Sequence, residues 1–115
     1  EILAYAHHAI HGVPLRCLRF FTVYGPRQRP EMAIAHFARR IVRGEPLTLY
    51  GDGQSARDYT FIDDIVTGVV RSLETANAGI RTYNLGGSRT TTLVRRGELL
   101  EDALGRKAKV SFEPG

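Results

Sequence analysis

Cysteine is almost missing from this sequence. Cys17 stands alone among 115 residues, so no internal disulfide can form, which suits a reducing, cytoplasmic setting. Long apolar runs are missing too. Nothing approaches the roughly 20 residues of a membrane-spanning helix, and no charged-then-apolar leader pattern opens the chain, so no membrane role is expected. Lysine is scarce, with two residues against 14 arginines. The net charge of +4 therefore rests on arginines spread along the chain. Basic surface of that kind can serve nucleic acid, a membrane or a phosphorylated metabolite; without a dense tract, nucleic acid is not expected as a partner. Repeats, linkers and low-complexity segments are absent as well. The chain therefore counts as one domain at most, long enough to bury a core.

What is present centres on Pro14 to Pro30. Its first half is apolar apart from Arg16 and Arg19, and rich in aromatic and β-branched residues. That pattern predicts a strand buried on both faces, in the middle of a sheet. Gly25-Pro26 ends it after Tyr24, because proline cannot donate a ladder hydrogen bond and glycine permits a sharp turn. The loop that follows carries Arg27 and Arg29. Ligands of parallel α/β sheets bind at the carboxyl ends of strands, so this loop suggests an anionic ligand. A core strand followed by a solvated basic loop is the alternative.

Around that stretch the chain alternates. Ile2, Leu3, Ala6 and Ile10 mark a helix that Gly12 stops. His7 and His11 stand four apart within it, a spacing able to chelate a metal; with no third ligand in sight, exposed helix histidines are expected. Ile34, Phe37, Ala38, Ile41 and Val42 mark a second helix, with Arg39, Arg40 and Arg43 toward its C-terminus, where the dipole favours cations. Leu47 to Tyr50 and Asp58 to Ile62 read as strands joined by Gly51-Asp52-Gly53, a hairpin-like excursion. Ile62, Ile65, Val66, Val69, Val70 and Leu73 form the stripe of a third helix, which Asp63 is expected to cap. An acid/base or metal role for Asp63 and Asp64 is the other reading. Arg81 to Leu85 is a strand closed by Gly86-Gly87, a weak likeness to a phosphate cradle. A last helix runs through Leu93, Leu100, Ala103 and Leu104 to Gly105, interrupted by Arg95, Arg96 and Gly97, for which the sequence offers no reason. Lys109 to Glu113 is a final strand. The order α-β-α-β-β-α-β-α-β implies a parallel or mixed α/β sheet.

Three segments, LRFFTVYGPRQRPEMAI, PLTLYGDGQSARDYTFIDDIVTGV and TYNLGG before a helix, together resemble the extended short-chain dehydrogenase/reductase family. Within it they are similar to the NAD-dependent nucleotide-sugar epimerases and dehydratases. The resemblance implies a Rossmann-like α/β fold, of which this chain would be the C-terminal part: residues 1–26 ending the dinucleotide-binding fold, residues 27–115 forming the small substrate-binding subdomain and returning elements. Glu1 resembles the glutamate that follows the family's Tyr-x-x-x-Lys motif. The catalytic pair is then expected just before residue 1, with the glycine-rich loop further upstream, and Gly115 is expected to be a second cut. No catalytic residue and no metal site is expected within the chain.

The same resemblance implies roles. Phe20 and Phe21 match positions at the nicotinamide end of the NAD site. Thr22 stands where most relatives carry a substrate-contacting asparagine. Thr22 together with Arg29 is similar to the UDP-glucuronate 4-epimerases, where both positions are linked to the sugar carboxylate; a hydroxyl and a guanidinium suit that anion. Met32, Ala33, Ile34 and Tyr50 match positions around the base, and Arg57 matches the arginine that pairs with the diphosphate. The complete protein is implied to be a homodimeric, cytoplasmic UDP-sugar 4-epimerase using NAD, with UDP-glucose epimerisation, 4,6-dehydration, decarboxylation of UDP-glucuronate or a non-catalytic role as alternatives. The 115-residue chain alone is expected to be inactive and not to hold NAD.

Overall fold

The computed structural model describes residues 1–75 and 78–114. Along them run α1 (Ile2–His11), β1 (Leu15–Phe20), β2 (Thr22–Tyr24), α2 (Ala33–Arg43), β3 (Leu47–Tyr50), β4 (Ala56–Phe61), α3 (Ile62–Glu74), β5 (Ile80–Leu85), β6 (Thr90–Thr92), α4 (Leu93–Leu104) and β7 (Val110–Glu113). The class is α/β with mainly parallel pairing, as the alternation implied. Helices α1, α2 and α4 each end on a left-handed glycine, Gly12, Gly44 and Gly105, a conformation that costs glycine little.

The strands do not form one sheet. β1 pairs with β5, β3 with β7, and β4 lies between β2 and β6. The expected strand from Pro14 to Tyr24 is accordingly two strands that change partner at Phe21. Leu15 to Phe20 run parallel to Ile80 to Leu85. Thr22 to Tyr24 run parallel to Tyr59 to Phe61. The change comes where β5 ends at Leu85, whose carbonyl still accepts from the Phe21 amide at 3.0 Å. Nor is this stretch fully buried: β1 is half-buried, and Phe20 and Phe21 are exposed. Among the described residues β1 has one strand neighbour, so one of its edges is uncovered.

The hairpin-like excursion is also corrected. β3 and β4 do not pair; β3 pairs in parallel with β7, Leu47 opposite Val110. The glycines of the intervening turn send the chain to a different sheet. The buried core lies there, made of Phe37, Ile41, Leu47 and Leu49, with Leu93, Val94, Leu100, Leu104 and Ala108 packed against it. Full burial of each such side chain contributes about 1.5–3 kcal/mol. Of the α3 stripe only Ile65 is buried, while Val66, Val70 and Leu73 are exposed. α3 begins one residue earlier than expected, with Phe61 at the N-cap and no side-chain cap bond. Asp63 therefore stands inside the first turn, where its charge faces the positive end of the dipole without capping an amide. α4 is continuous through Arg95, Arg96 and Gly97.

Candidate functional site

β4 positions the site. Its residues alternate sides, so Arg57 and Tyr59 share one face while Asp58 and Thr60 share the other. Asp58 and Thr60 are occupied with structure. The Gly87 amide donates to the Asp58 carboxylate at 2.9 Å and to the Thr60 hydroxyl at 2.8 Å, and that hydroxyl donates to Asp58 at 3.2 Å. A Cβ on Gly86 would run into the Phe21 ring. The Gly86-Gly87 pair is thus a tight turn held by Asp58 and Thr60, with the Gly87 amide already committed, rather than a phosphate cradle.

On the Arg57 side lies a cavity of about 350 Å³ lined by Thr22, Gln28, Met32, Ala33, Ile34, Tyr50, Ser55, Arg57, Tyr59, Leu93 and Arg96. Six residues expected to bind substrate, drawn from β2, the start of α2, β3 and β4, meet there: Thr22, Met32, Ala33, Ile34, Tyr50 and Arg57. Thr22 is brought in by the β2–β4 pairing, which sets it opposite Tyr59. Met32 is the N-cap of α2 and offers no side-chain cap, which leaves the first amides of that helix without intrahelical partners beside the cavity. No carboxylate lines it.

Besides a small cavity of about 170 Å³ that shares Ile34, Tyr59 and Arg96 with it, two larger cavities adjoin. One of about 470 Å³ is lined by Phe20, Phe21, Thr22, Ala56, Arg57, Asp58 and Thr90, and shares Thr22 and Arg57 with the first. The other, of about 440 Å³, is lined by residues 23–29, Met32 and Ile62, and shares Gln28 and Met32. Arg29 lies in this second neighbour, apart from Thr22. It is exposed and makes no ion pair, to Glu31 or otherwise, among the described residues. The loop that carries it is held by the Gln28 side-chain amide donating to the Val23 carbonyl at 3.0 Å, and Arg27 takes a positive φ of 65°. The three cavities form a row, with Phe20 and Phe21 at one end and Arg29 at the other.

Five lining residues were not anticipated: Gln28, Ser55, Tyr59, Leu93 and Arg96. Tyr59 follows Arg57 at strand period and could have been inferred from it. Arg96 was visible only as a charge out of place. It is 5% exposed, and its guanidinium carbon stands 4.1 Å from the Tyr59 ring centre and 5.8 Å from that of Phe37. Burial chiefly pushes its pKa down, the nearby Arg57 charge adds to this, and Tyr59 opposes it. Away from the cavities, His7 and His11 are exposed with rings 4.5 Å apart, and the His8 imidazole Nδ1 lies 2.6 Å from the Val13 carbonyl.

Residues 1–86 match the NAD dependent epimerase/dehydratase family. The chain belongs to that family. Within it, the UDP-glucuronate 4-epimerase of Thermodesulfobacterium geofontis is 41% identical over 113 residues, which is 97% of this chain and 34% of that protein. A Bacillus subtilis protein described as an uncharacterized UDP-glucose epimerase is 41% identical over 112 residues, 97% of this chain and 35% of its own. The crystal structure of the Bacillus cereus UDP-glucuronic acid 4-epimerase in complex with UDP-glucuronic acid and NAD superposes with a TM-score of 0.88 at 37% identity, covering 99% of this chain and 37% of that one. The chain thus spans about a third of the length of these epimerase/dehydratase relatives.

Proposed function

We propose that this chain is the nucleotide-sugar-binding portion, from the C-terminal part of the fold, of an NAD-dependent UDP-sugar 4-epimerase acting on UDP-glucuronate. The observation that carries the reading is the acid-free cavity in which Thr22, Met32, Ala33, Ile34, Tyr50 and Arg57 meet. Met32, Ala33, Ile34 and Tyr50 would flank the base, and Arg57 would pair with the diphosphate through a charge-assisted fork. The chain's part is positioning: it would hold the nucleotide so that the sugar lies along the row of cavities. Phe20 and Phe21 present exposed ring surface to the adjoining cavity, a surface suited to one edge of a nicotinamide. When bound there, NAD would supply oxidation and re-reduction at C4 of the sugar. The Bacillus cereus enzyme is seen with both ligands, UDP-glucuronic acid and NAD, which supports carrying both to this chain. Residues 1–26 would end the dinucleotide-binding fold and residues 27–115 would form the substrate-binding subdomain.

A second reading, a UDP-glucose 4-epimerase, is favoured by the separation of Arg29 from Thr22 and by the Bacillus subtilis relative's description. Both readings require the diphosphate at Arg57. Arg57→Ala should weaken UDP binding by about 1.5–3 kcal/mol, the range for hydrogen bonds to charged groups. Arg57→Lys should recover only part, because an ammonium lacks the bidentate fork. Calorimetric titration with UDP checks both, and unchanged affinity in the two variants would remove Arg57 from the site.

A further inference from the structure

Among the described residues lining the acid-free cavity, Arg96 is the one with a buried side-chain donor left without a partner. Its guanidinium carbon sits over the Tyr59 and Phe37 rings, 4.1 and 5.8 Å from their centres, and ring faces are poor acceptors for its N–H donors. Its Nε is buried without a hydrogen-bond partner among the described residues. The companion cation is Arg57, whose charge it feels, and no Asp or Glu lines the cavity to offset either. Two guanidiniums, one of them desolvated, with no anion between them make an arrangement that is costly when empty. Negative charge with several acceptor oxygens would relieve it.

We propose that Arg96 is a second anchor for the nucleotide's diphosphate, reaching it from α4 while Arg57 reaches it from β4. This rests on the nucleotide-sugar reading and deepens it. Tyr59 links the two: it shares a strand face with Arg57, Arg96 lies 4.1 Å from the centre of its ring, and both guanidiniums border the same cavity. A diphosphate offers oxygens to both forks and negative charge to match both cations. A base carbonyl could accept from the free Nε, but it is neutral and would leave the pair of like charges uncompensated. Binding should therefore discriminate by charge, with UDP held far better than UMP, and UMP better than uridine.

The test is calorimetric titration of the 115-residue chain and its Arg96→Met and Arg96→Lys variants with UDP, UMP and uridine. Met keeps the bulk and stem of the side chain but neither its charge nor its donors. Arg96→Met should lose at least tenfold in UDP affinity while uridine changes by less than twofold. Arg96→Lys, which keeps the charge without the fork, should fall between; if the Met variant does not fold, the Lys variant's UDP and uridine losses decide by the same comparison. Unchanged UDP affinity, or an equal loss for uridine, overturns the diphosphate assignment and leaves the nucleotide reading standing. Failure of the parent chain to bind UDP overturns both.

Discussion

Arg16 and Arg96 both interrupt apolar stretches, and their surroundings differ. Arg16 donates through Nε to the Ser72 carbonyl at 3.2 Å and through a terminal nitrogen to the Thr75 carbonyl at 3.1 Å, so it binds the C-terminal end of α3, where a cation is favoured. Arg96 has ring faces and an unsatisfied Nε. Arg29 is different again, exposed beside a cavity with no ion-pair partner among the described residues. A sugar carboxylate at C6 would give it one. The complete enzyme should then prefer UDP-glucuronate over UDP-glucose by at least tenfold in kcat/KM, about 1.4 kcal/mol. Arg29→Ala should erase most of that preference while leaving UDP affinity nearly unchanged, since the diphosphate is held elsewhere. Steady-state kinetics on both substrates decides it; equal efficiency in the parent would favour the UDP-glucose reading. Glu101 gives a residue-level pH prediction. Its carboxylate accepts from the Lys107 ammonium and from the Ala108 amide, each at 2.8 Å, and these bonds, Lys107 first, hold its pKa below the ordinary 4.5. A carboxyl with a depressed folded pKa contributes stability that is present above its unfolded value and lost as pH falls through the folded one. Glu101→Gln should therefore lower the melting temperature at neutral pH, and the two melting curves should converge below pH 4.5.

Elements show what could be read from the sequence and what could not. Helices α1, α2 and α3 followed from apolar spacing, and Gly12 and Gly105 marked ends correctly, because periodicity and glycine stops are local properties. Strand partners are not local. β3 and β4 lie close in sequence and suggest a hairpin, yet β3 goes to β7 some sixty residues on, a choice made by packing against α2 and α4. Six of the eleven positions lining the cavity were expected through the family resemblance, whereas Arg96 was not, since a charge in an apolar helix carries no local signal of what it faces. Gly97, its neighbour in α4, permits a prediction of its own. It is buried within the helix, and a Cβ there would meet nothing within 4 Å. A cavity of about 240 Å³ lies beside it, lined by residues of β3, α4 and β7. Gly97→Ala should stabilise the chain by about 1 kcal/mol through helix propensity, read as a higher urea midpoint. Gly53→Ala should do the reverse. Gly53 has a φ of 71°, and its Cβ would stand 2.6 Å from Val94 Cγ2 and 3.1 Å from Phe112 Cε1, forcing apart the turn whose carbonyls accept from the Leu93 and Val94 amides.

At the scale of the whole molecule the chain is long rather than round, 56 × 28 × 23 Å with a radius of gyration of 18.6 Å, where a compact domain of about 100 residues has roughly 13 Å. Ile2, Leu3, Ile10 and Leu73 are each more than 70% exposed, and the clustered part of the buried core lies in α2 and β3 with α4 packed against it. The cavity proposed for the nucleotide is lined by residues of β2, the loop after it, α2, β3, β4 and the segment before it, and α4. On the proposed reading, what the chain would offer NAD is two exposed phenylalanines at the rim of a neighbouring cavity, and its sequence contains neither a Tyr-x-x-x-Lys motif nor a G-x-G-x-x-G loop. The phosphates of a dinucleotide take much of their affinity from such a glycine loop and the helix that follows it. We therefore expect the 115-residue chain to bind UDP measurably, to show no micromolar affinity for NAD, and to leave UDP-sugars unchanged. Titration with each ligand and an epimerase assay make the comparison. Micromolar NAD binding, or any enzyme-dependent interconversion, would mean that the cavity bounded by Phe20 and Phe21 does more than flank one edge of a cofactor.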